Sequence, residues 1–114
     1  MILRKTEAQE FTIPGGTRGC LYPSQPEDAF SLAQVEIDGR YPASGFSYND
    51  RCTETVLVLE GDFLFQCGSE QGSLTVGDVM SVTPPEKYML EGKGRACVFI
   101  TPGWDSSQNH IVQE

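Results

Sequence analysis

A chain of 114 residues and 12.5 kDa has the length of one ordinary domain, 1–114, and folding it would bury about two-thirds of the unfolded surface, sufficient for an independent core. Sixteen acidic residues against eight Lys and Arg give a net charge of −8, with no basic cluster to overcome repulsion by a phosphate backbone, which excludes nucleic acid as a partner. The longest apolar run, 56–59, is far below the ~20 residues that span a bilayer, and no apolar stretch resembles a secretion signal; a cytoplasmic, membrane-free protein is expected.

Twelve Gly and seven Pro punctuate the chain into short apolar runs, and no ten-residue stretch holds the i, i+3, i+4, i+7 spacing of a helix. The pattern predicts strands at residues 2–5 and 19–22, then at 30–37 (FSLAQVEI). There Phe30 and Leu32 fall on one parity and Val35 and Ile37 on the other, so one apolar face requires an irregularity near Ala33 and Gln34. A strand at 45–48 follows. Residues 54–59 (ETVLVL) are apolar on both parities, as in a strand covered on both faces. Glu60-Gly61-Asp62 reads as a hairpin leading into a strand at 62–67. Turns at 68–72 and 77–78 delimit strands at 71–76 and 79–82, and Pro84-Pro85 marks a sharp exit. Strands at 87–90 and 95–101 complete the set, followed by a polar tail from Trp104. So many short strands predict an all-β sandwich or barrel.

Cys20, Cys52, Cys67 and Cys97 are widely separated, with no Cys-x-x-Cys pair, which predicts free thiols rather than a zinc site. The single histidine, His110, lies in the tail and is expected to be solvated. One histidine excludes a multi-histidine metal centre within the chain.

Residues 54–61 (ETVLVLEG) followed by 77–85 (GDVMSVTPP) resemble the cupins, small double-stranded β-helix barrels of jelly-roll type, over roughly residues 30–104. Glu54 and Gly61 match the Glu-x6-Gly ending of the first cupin motif. The two histidine positions of that motif fall on Ser47 and Asn49. Counting from Gly77, the histidine position of the second motif falls on Tyr88. Of the usual three His and one Glu, only Glu54 remains. The stretches 39–42 (GRYP), 88–92 (YMLEG) and 101–104 (TPGW), with Gln108, resemble short single-domain cupins without an assigned function. The Pro-x-Trp ending is also similar to the ethanolamine-utilisation branch.

The resemblance implies an inward-pointing Glu54, partly desolvated and so shifted toward useful acid–base behaviour; the bland alternative is a carboxylate that only orders the barrel mouth. Cys52 shares strand parity with Glu54 and is read either as a pocket thiol or as packing. Tyr88 needs a hydrogen-bond partner, Glu54 or a ligand. Ser47 and Asn49 offer neutral groups for a small polar molecule, or stabilise a loop. Trp104 caps a barrel end or an interface, or stacks on a ligand. The expected protein is therefore a cupin barrel with no metal and no cofactor. It binds a small polar ligand through Ser47, Asn49, Cys52, Glu54 and Tyr88, without catalysis or as a regulator. The alternative is a metal-independent isomerase, lyase or group-transfer enzyme with Glu54 as acid or base and Tyr88 as its partner. A homodimer is expected, because Thr55, Leu57 and Leu59 need cover on the face turned away from the interior.

Overall fold

The computed structural model describes residues 1–24 and 28–113. After a single 3-10 turn at Lys5–Glu7, the strands are β1 (Gln9–Ile13), β2 (Thr17–Leu21), β3 (Ser31–Tyr41), β4 (Phe46–Asn49), β5 (Thr53–Cys67), β6 (Glu70–Leu74), β7 (Val79–Val82), β8 (Tyr88–Thr101) and β9 (Asn109–Val112), the last preceded by a 3-10 turn at Ser106–Gln108. All pairings are antiparallel, and β8 is the spine. One edge of β8 carries β3 and, at Tyr88, β4; the other carries β5 along its whole length. From β3 the sheet continues through β2 to β1, from β5 to β6 and β7, and from β4 to β9.

The β5–β8 ladder pairs Glu54 with Ile100 next to one end and Cys67 with Tyr88 at the other. Yet the Tyr88 hydroxyl lies 3.1 Å from the Glu54 carboxylate, a contact possible only because the sheet curls and meets itself across the interior. The curl is concentrated at a corner where the ladder shifts register between Val58 and Glu60, a β-bulge that bends and twists the strand. Gly61 takes φ +80° there, and a Cβ on it would collide with the Lys93 carbonyl oxygen; only glycine meets both demands. The expected hairpin at Glu60-Gly61-Asp62 is therefore a corner within one continuous strand. The strands expected at 87–90 and 95–101 likewise fuse into β8. A bend and a turn present the same glycine signal in sequence, and only pairing to a long partner distinguishes them.

Other differences have equally local causes. Ile2 is 68% exposed outside any strand, and the first strand is instead β1, whose Gln9, Phe11 and Ile13 share one parity. No irregularity interrupts β3: its register against β8 runs unbroken from Ser31 to Tyr41. Ala33, Val35 and Ile37 face inward, while Phe30 stacks on Phe99 with ring centroids 5.2 Å apart on the outer side. The polar tail is structured, because β9 pairs with β4 from Phe46 to Asn49; there His110 stacks on Tyr48 and binds Asp50 at 2.7 Å rather than standing alone in solvent. All four cysteines are free thiols.

The interior divides into a packed part and an open part. Val58, Phe63, Leu74 and Met80 fill one region, with Phe63 only 2% exposed. The inner faces of β1, β2, β3 and β8 enclose the open part.

Candidate functional site

The open part is a cavity of about 860 Å³, within the size range of small-molecule sites. Its walls are apolar: Phe11 and Ile13 from β1, Leu21 from β2, Ala33, Val35 and Ile37 from β3, Val56 from β5, and Leu90, Val98 and Ile100 from β8. Tyr41, Tyr88 and Glu54 add polar groups, and Trp104, Arg51, Asp28, Asp105 and Ser106 also line it. Arg51 is partly exposed and 3.7 Å from Asp28, an ion pair too accessible to add much stability.

Of the residues that the sequence puts forward, Glu54 and Tyr88 line the cavity together. Ser47, Asn49 and Cys52 are buried close by and are not among the residues lining it. The Cys52 thiol points at the Pro102 and Gly103 carbonyls, 3.4 and 3.7 Å away, and burial pushes its pKa up. A protonated thiol held by carbonyls is not an activated nucleophile. Parity with Glu54 suggested a shared pocket, but Cys52 precedes β5, where the alternation no longer applies. Asn49 and Ser47 support the site rather than touch the cavity. The Asn49 amide donates to Glu54 Oε1 at 2.6 Å, while Ser47 Oγ lies 3.4 Å from the Tyr41 hydroxyl and accepts from Asn109 at 3.0 Å.

Tyr41 was not singled out from sequence as a site residue, although Ala33, Val35, Ile37, Gly39 and Tyr41 form an unbroken inward parity along β3. Extending the alternation past Gly39 would have found it. Its ring centroid is 6.0 Å from that of Tyr88. Gln108 figures in the sequence only as part of the likeness to short cupins and Asn109 not at all, because their place depends on the tail folding back against β4.

Three titratable groups thus meet at a buried polar spot. Desolvation raises the Glu54 pKa above the ordinary carboxyl range, opposed by hydrogen bonds from Asn49 and Tyr88. Tyr88 is raised well above 10.0, by burial first and then by the Glu54 charge and by Tyr41. Tyr41 is raised as well, chiefly by burial. Both phenols therefore stay protonated at neutral pH, and Glu54 is the most acidic member of the trio.

A stability prediction follows from that shift. Because folded Glu54 holds its proton more tightly than the unfolded chain does, its ionisation carries a penalty that is absent at pH below the unfolded carboxyl value. The penalty grows as pH rises through the folded pKa. Glu54→Gln removes it: at pH 8 the variant is expected to melt at a higher temperature than the native chain, with the difference vanishing near pH 4. Thermal melts at the two pH values check this, and equal melting at both would contradict it.

The donor set does not fit the metal that cupins commonly hold. Among the described residues no three of His, Cys, Asp and Glu come together. At the positions of the missing histidines, Ser47 and Asn49 are engaged with protein groups. Neutral oxygens already used this way are poor ligands beside a single carboxylate, so no step is routed through a metal.

No family model matches the chain, and no curated protein does. Solved structures do. The chain superposes over 99% of its length on 91% of Pac13, described as a β-barrel and a unique nucleoside dehydratase, with TM-score 0.85 and 18% identity. A single-residue variant of Streptomyces Pac13 with uridine aligns at TM-score 0.86 and 18% identity, over 99% of this chain and 90% of that one. An RmlC-like cupin from Shewanella frigidimarina aligns over 91% of this chain and 92% of its own, with TM-score 0.74 and 17% identity. The chain is a small cupin barrel in fold. The likeness to the ethanolamine-utilisation branch is not supported by these neighbours.

Proposed function

We propose that the chain is a metal-independent enzyme that moves a proton on a small, hydroxylated, ring-bearing molecule held in the barrel, with Glu54 as general base and acid and Tyr88 as its hydrogen-bonding partner. One observation carries this reading: a desolvated carboxyl group that borders a roomy cavity and is bound by an amide and a phenol rather than by a cation. A structural carboxylate is ordinarily neutralised by Arg or Lys. Glu54 instead has its proton affinity raised by burial, which makes its carboxylate a stronger base than an exposed one.

The chemistry that fits is elimination of water. Ionised Glu54 removes a proton from an acidic C–H of the substrate, the electrons of that bond form the new C=C bond, and the C–O bond to the departing hydroxyl breaks. The same proton, returned by Glu54, leaves with that hydroxyl as water. Tyr41, kept neutral, donates a hydrogen bond to substrate oxygen where charge accumulates, while Tyr88 keeps its one hydrogen on Glu54. The apolar walls and Trp104 suit a planar ring. The likeness in shape to a nucleoside dehydratase supports choosing nucleosides as the first substrates to try, uridine derivatives among them. Incubation in heavy water followed by mass spectrometry of the recovered nucleoside tests this directly: deuterium uptake or loss of water in the native protein, absent in Glu54→Gln, is the expected result. Neither change with any nucleoside would remove the proposed substrate class.

The second reading, a non-catalytic module, is favoured by the largely apolar wall, which suits tight binding without chemistry. It predicts ligand retention with no exchange. Four free thiols fit a reducing compartment, and we place the protein in the cytoplasm. We also propose a homodimer. Leu57, Val79 and Phe99 are 38%, 56% and 39% exposed; Leu57 pairs with Val79, and Phe99 with Leu32, on the outer side of β3, β8, β5 and β7. A partner copy covering this patch would bury apolar surface that monomers rarely leave open. Light scattering is expected to give twice 12.5 kDa for the native chain and the monomer mass for Phe99→Asp; a monomeric native chain defeats the idea.

A further inference from the structure

Around Glu54 lies a chain of side-chain amides whose orientations are fixed one by another. Gln108 begins it. Its Oε1 accepts the backbone N–H groups of Arg51 and Cys52, at 3.1 and 3.0 Å, so its Nε2 must point the other way, where it donates to Asn49 Oδ1 at 3.0 Å. Asn109 Nδ2 donates to the same oxygen at 2.9 Å and also to Ser47 Oγ at 3.0 Å. With its oxygen receiving two donors, Asn49 turns its own N–H toward Glu54 Oε1, 2.6 Å away. An amide nitrogen donates and cannot accept. Oε1 of Glu54 therefore cannot carry a proton facing Asn49 without setting two hydrogens against each other, whereas the Tyr88 hydroxyl that donates to Oε2 can rotate and accept when Oε2 is protonated.

We propose that Gln108 and Asn109, delivered by the carboxy-terminal turn and β9, are positioning residues that hold Asn49 in one orientation and thereby confine the exchangeable proton of Glu54 to Oε2, the oxygen that meets the Tyr88 hydroxyl. The inference rests on the reading of Glu54 as the proton-transfer group and specifies which of its two oxygens reacts. It also gives the tail a role that its polar sequence does not reveal: β9 orients a side chain in the interior while the tail's own backbone covers the edge of β4.

The charged and titratable groups around Glu54 are Tyr88 on β8, Tyr41 on β3, Arg51 and Cys52 just before β5, and Asp28 and Asp105 at the same cavity, with the His110–Asp50 pair next to Asn49 and Asn109 in the chain. Neither of the two phenols titrates near neutral pH, and burial raises the Cys52 thiol as well. A change in the Asn49 amide signal between acidic and neutral pH that Glu54→Gln abolishes reports on Glu54.

The experiment is nuclear magnetic resonance of the free protein, following the Glu54 carboxyl carbon and the Asn49 side-chain amide across pH, with Glu54→Gln to assign the first signal. In the native chain one Asn49 amide proton is expected far downfield, moving with the Glu54 titration. Gln108→Glu keeps both backbone contacts of residue 108 but replaces its donor with an acceptor. The Asn49 amide should then turn away, lose its dependence on Glu54, and leave Glu54 with a roughly tenfold higher proton affinity. Asn109→Leu removes the other hold without disturbing Gln108, and should speed exchange of the Asn49 amide with water by about tenfold; it serves if Gln108→Glu fails to fold. An Asn49 signal with native shift and native pH dependence in the variants that fold overturns the proposal. Because no substrate is involved, this outcome is separable from the function itself: loss of turnover in Glu54→Gln with an unchanged Asn49 signal would uphold the enzyme and remove the clamp.

Discussion

Glu54→Gln is expected to lower kcat by about 10³-fold while changing the affinity for substrate by less than about fivefold. The substitution is nearly isosteric, and an amide oxygen can still accept from Asn49, so the cavity keeps its shape. What disappears is the capacity to take up a proton and give it back. Tyr41 remains to bind substrate oxygen, but the pKa values of both phenols are raised, which leaves neither able to replace the carboxylate as a base near neutral pH. Single-turnover measurement of water loss, with affinity read separately by calorimetry, resolves the two effects. A parallel loss of affinity and rate would mean that Glu54 chiefly binds, and unchanged turnover would eliminate it from the chemistry. The pH dependence of kcat/KM should carry an ascending limb from ionisation of Glu54, displaced above the ordinary carboxyl range because desolvation raises its pKa.

Phe63→Ala is expected to destabilise the fold by about 3–5 kcal/mol, a large share of the ~5–15 kcal/mol that such a domain possesses. Phe63 is among the largest fully buried side chains and pairs with Gly92 beside the corner where β5 and β8 bend. Its ring lies where a Cβ on Gly94 would stand, 2.9 Å away, so it fills the hollow that two backbone-only positions leave open. Removing it deletes buried apolar surface and leaves a cavity at the bend that brings Glu54 and Tyr88 together. Urea unfolding checks the magnitude. A loss under 1 kcal/mol would show that the corner can collapse around the smaller side chain.

How far the sequence reaches differs between these two sites. Alternating runs bounded by glycine and proline were legible as strands, and the Glu-x6-Gly spacing with Gly77 and the double proline identified the cupin frame. From that frame alone Glu54 and Tyr88 could be expected to face inward, and both line the cavity. The corner at Gly61 was not legible, since a glycine with positive φ serves a hairpin and a bulged bend equally well. Phe30 and Leu32 suggested an irregular strand because an apolar residue was assumed to face the interior, whereas here they belong to an outer face that is apolar too.

By itself the sequence determined that the protein is all-β, that it lacks a histidine cluster, and that a carboxyl and a phenol occupy positions where cupins carry metal ligands. The first two conclusions rest on local periodicity and composition, and the third on the resemblance to the cupin motifs, all readable along a line. Only the tertiary structure decided that Cys52 is spent on carbonyls of the 102–103 turn, that Tyr41 joins Tyr88 at the cavity, and that Gln108 and Asn109 reach back to Asn49. Each of these depends on contacts between segments far apart in the chain, set by the curl of one sheet and the return of its last strand. Burial then gives Glu54 its raised proton affinity, because desolvation is a property of the closed barrel and not of the residue.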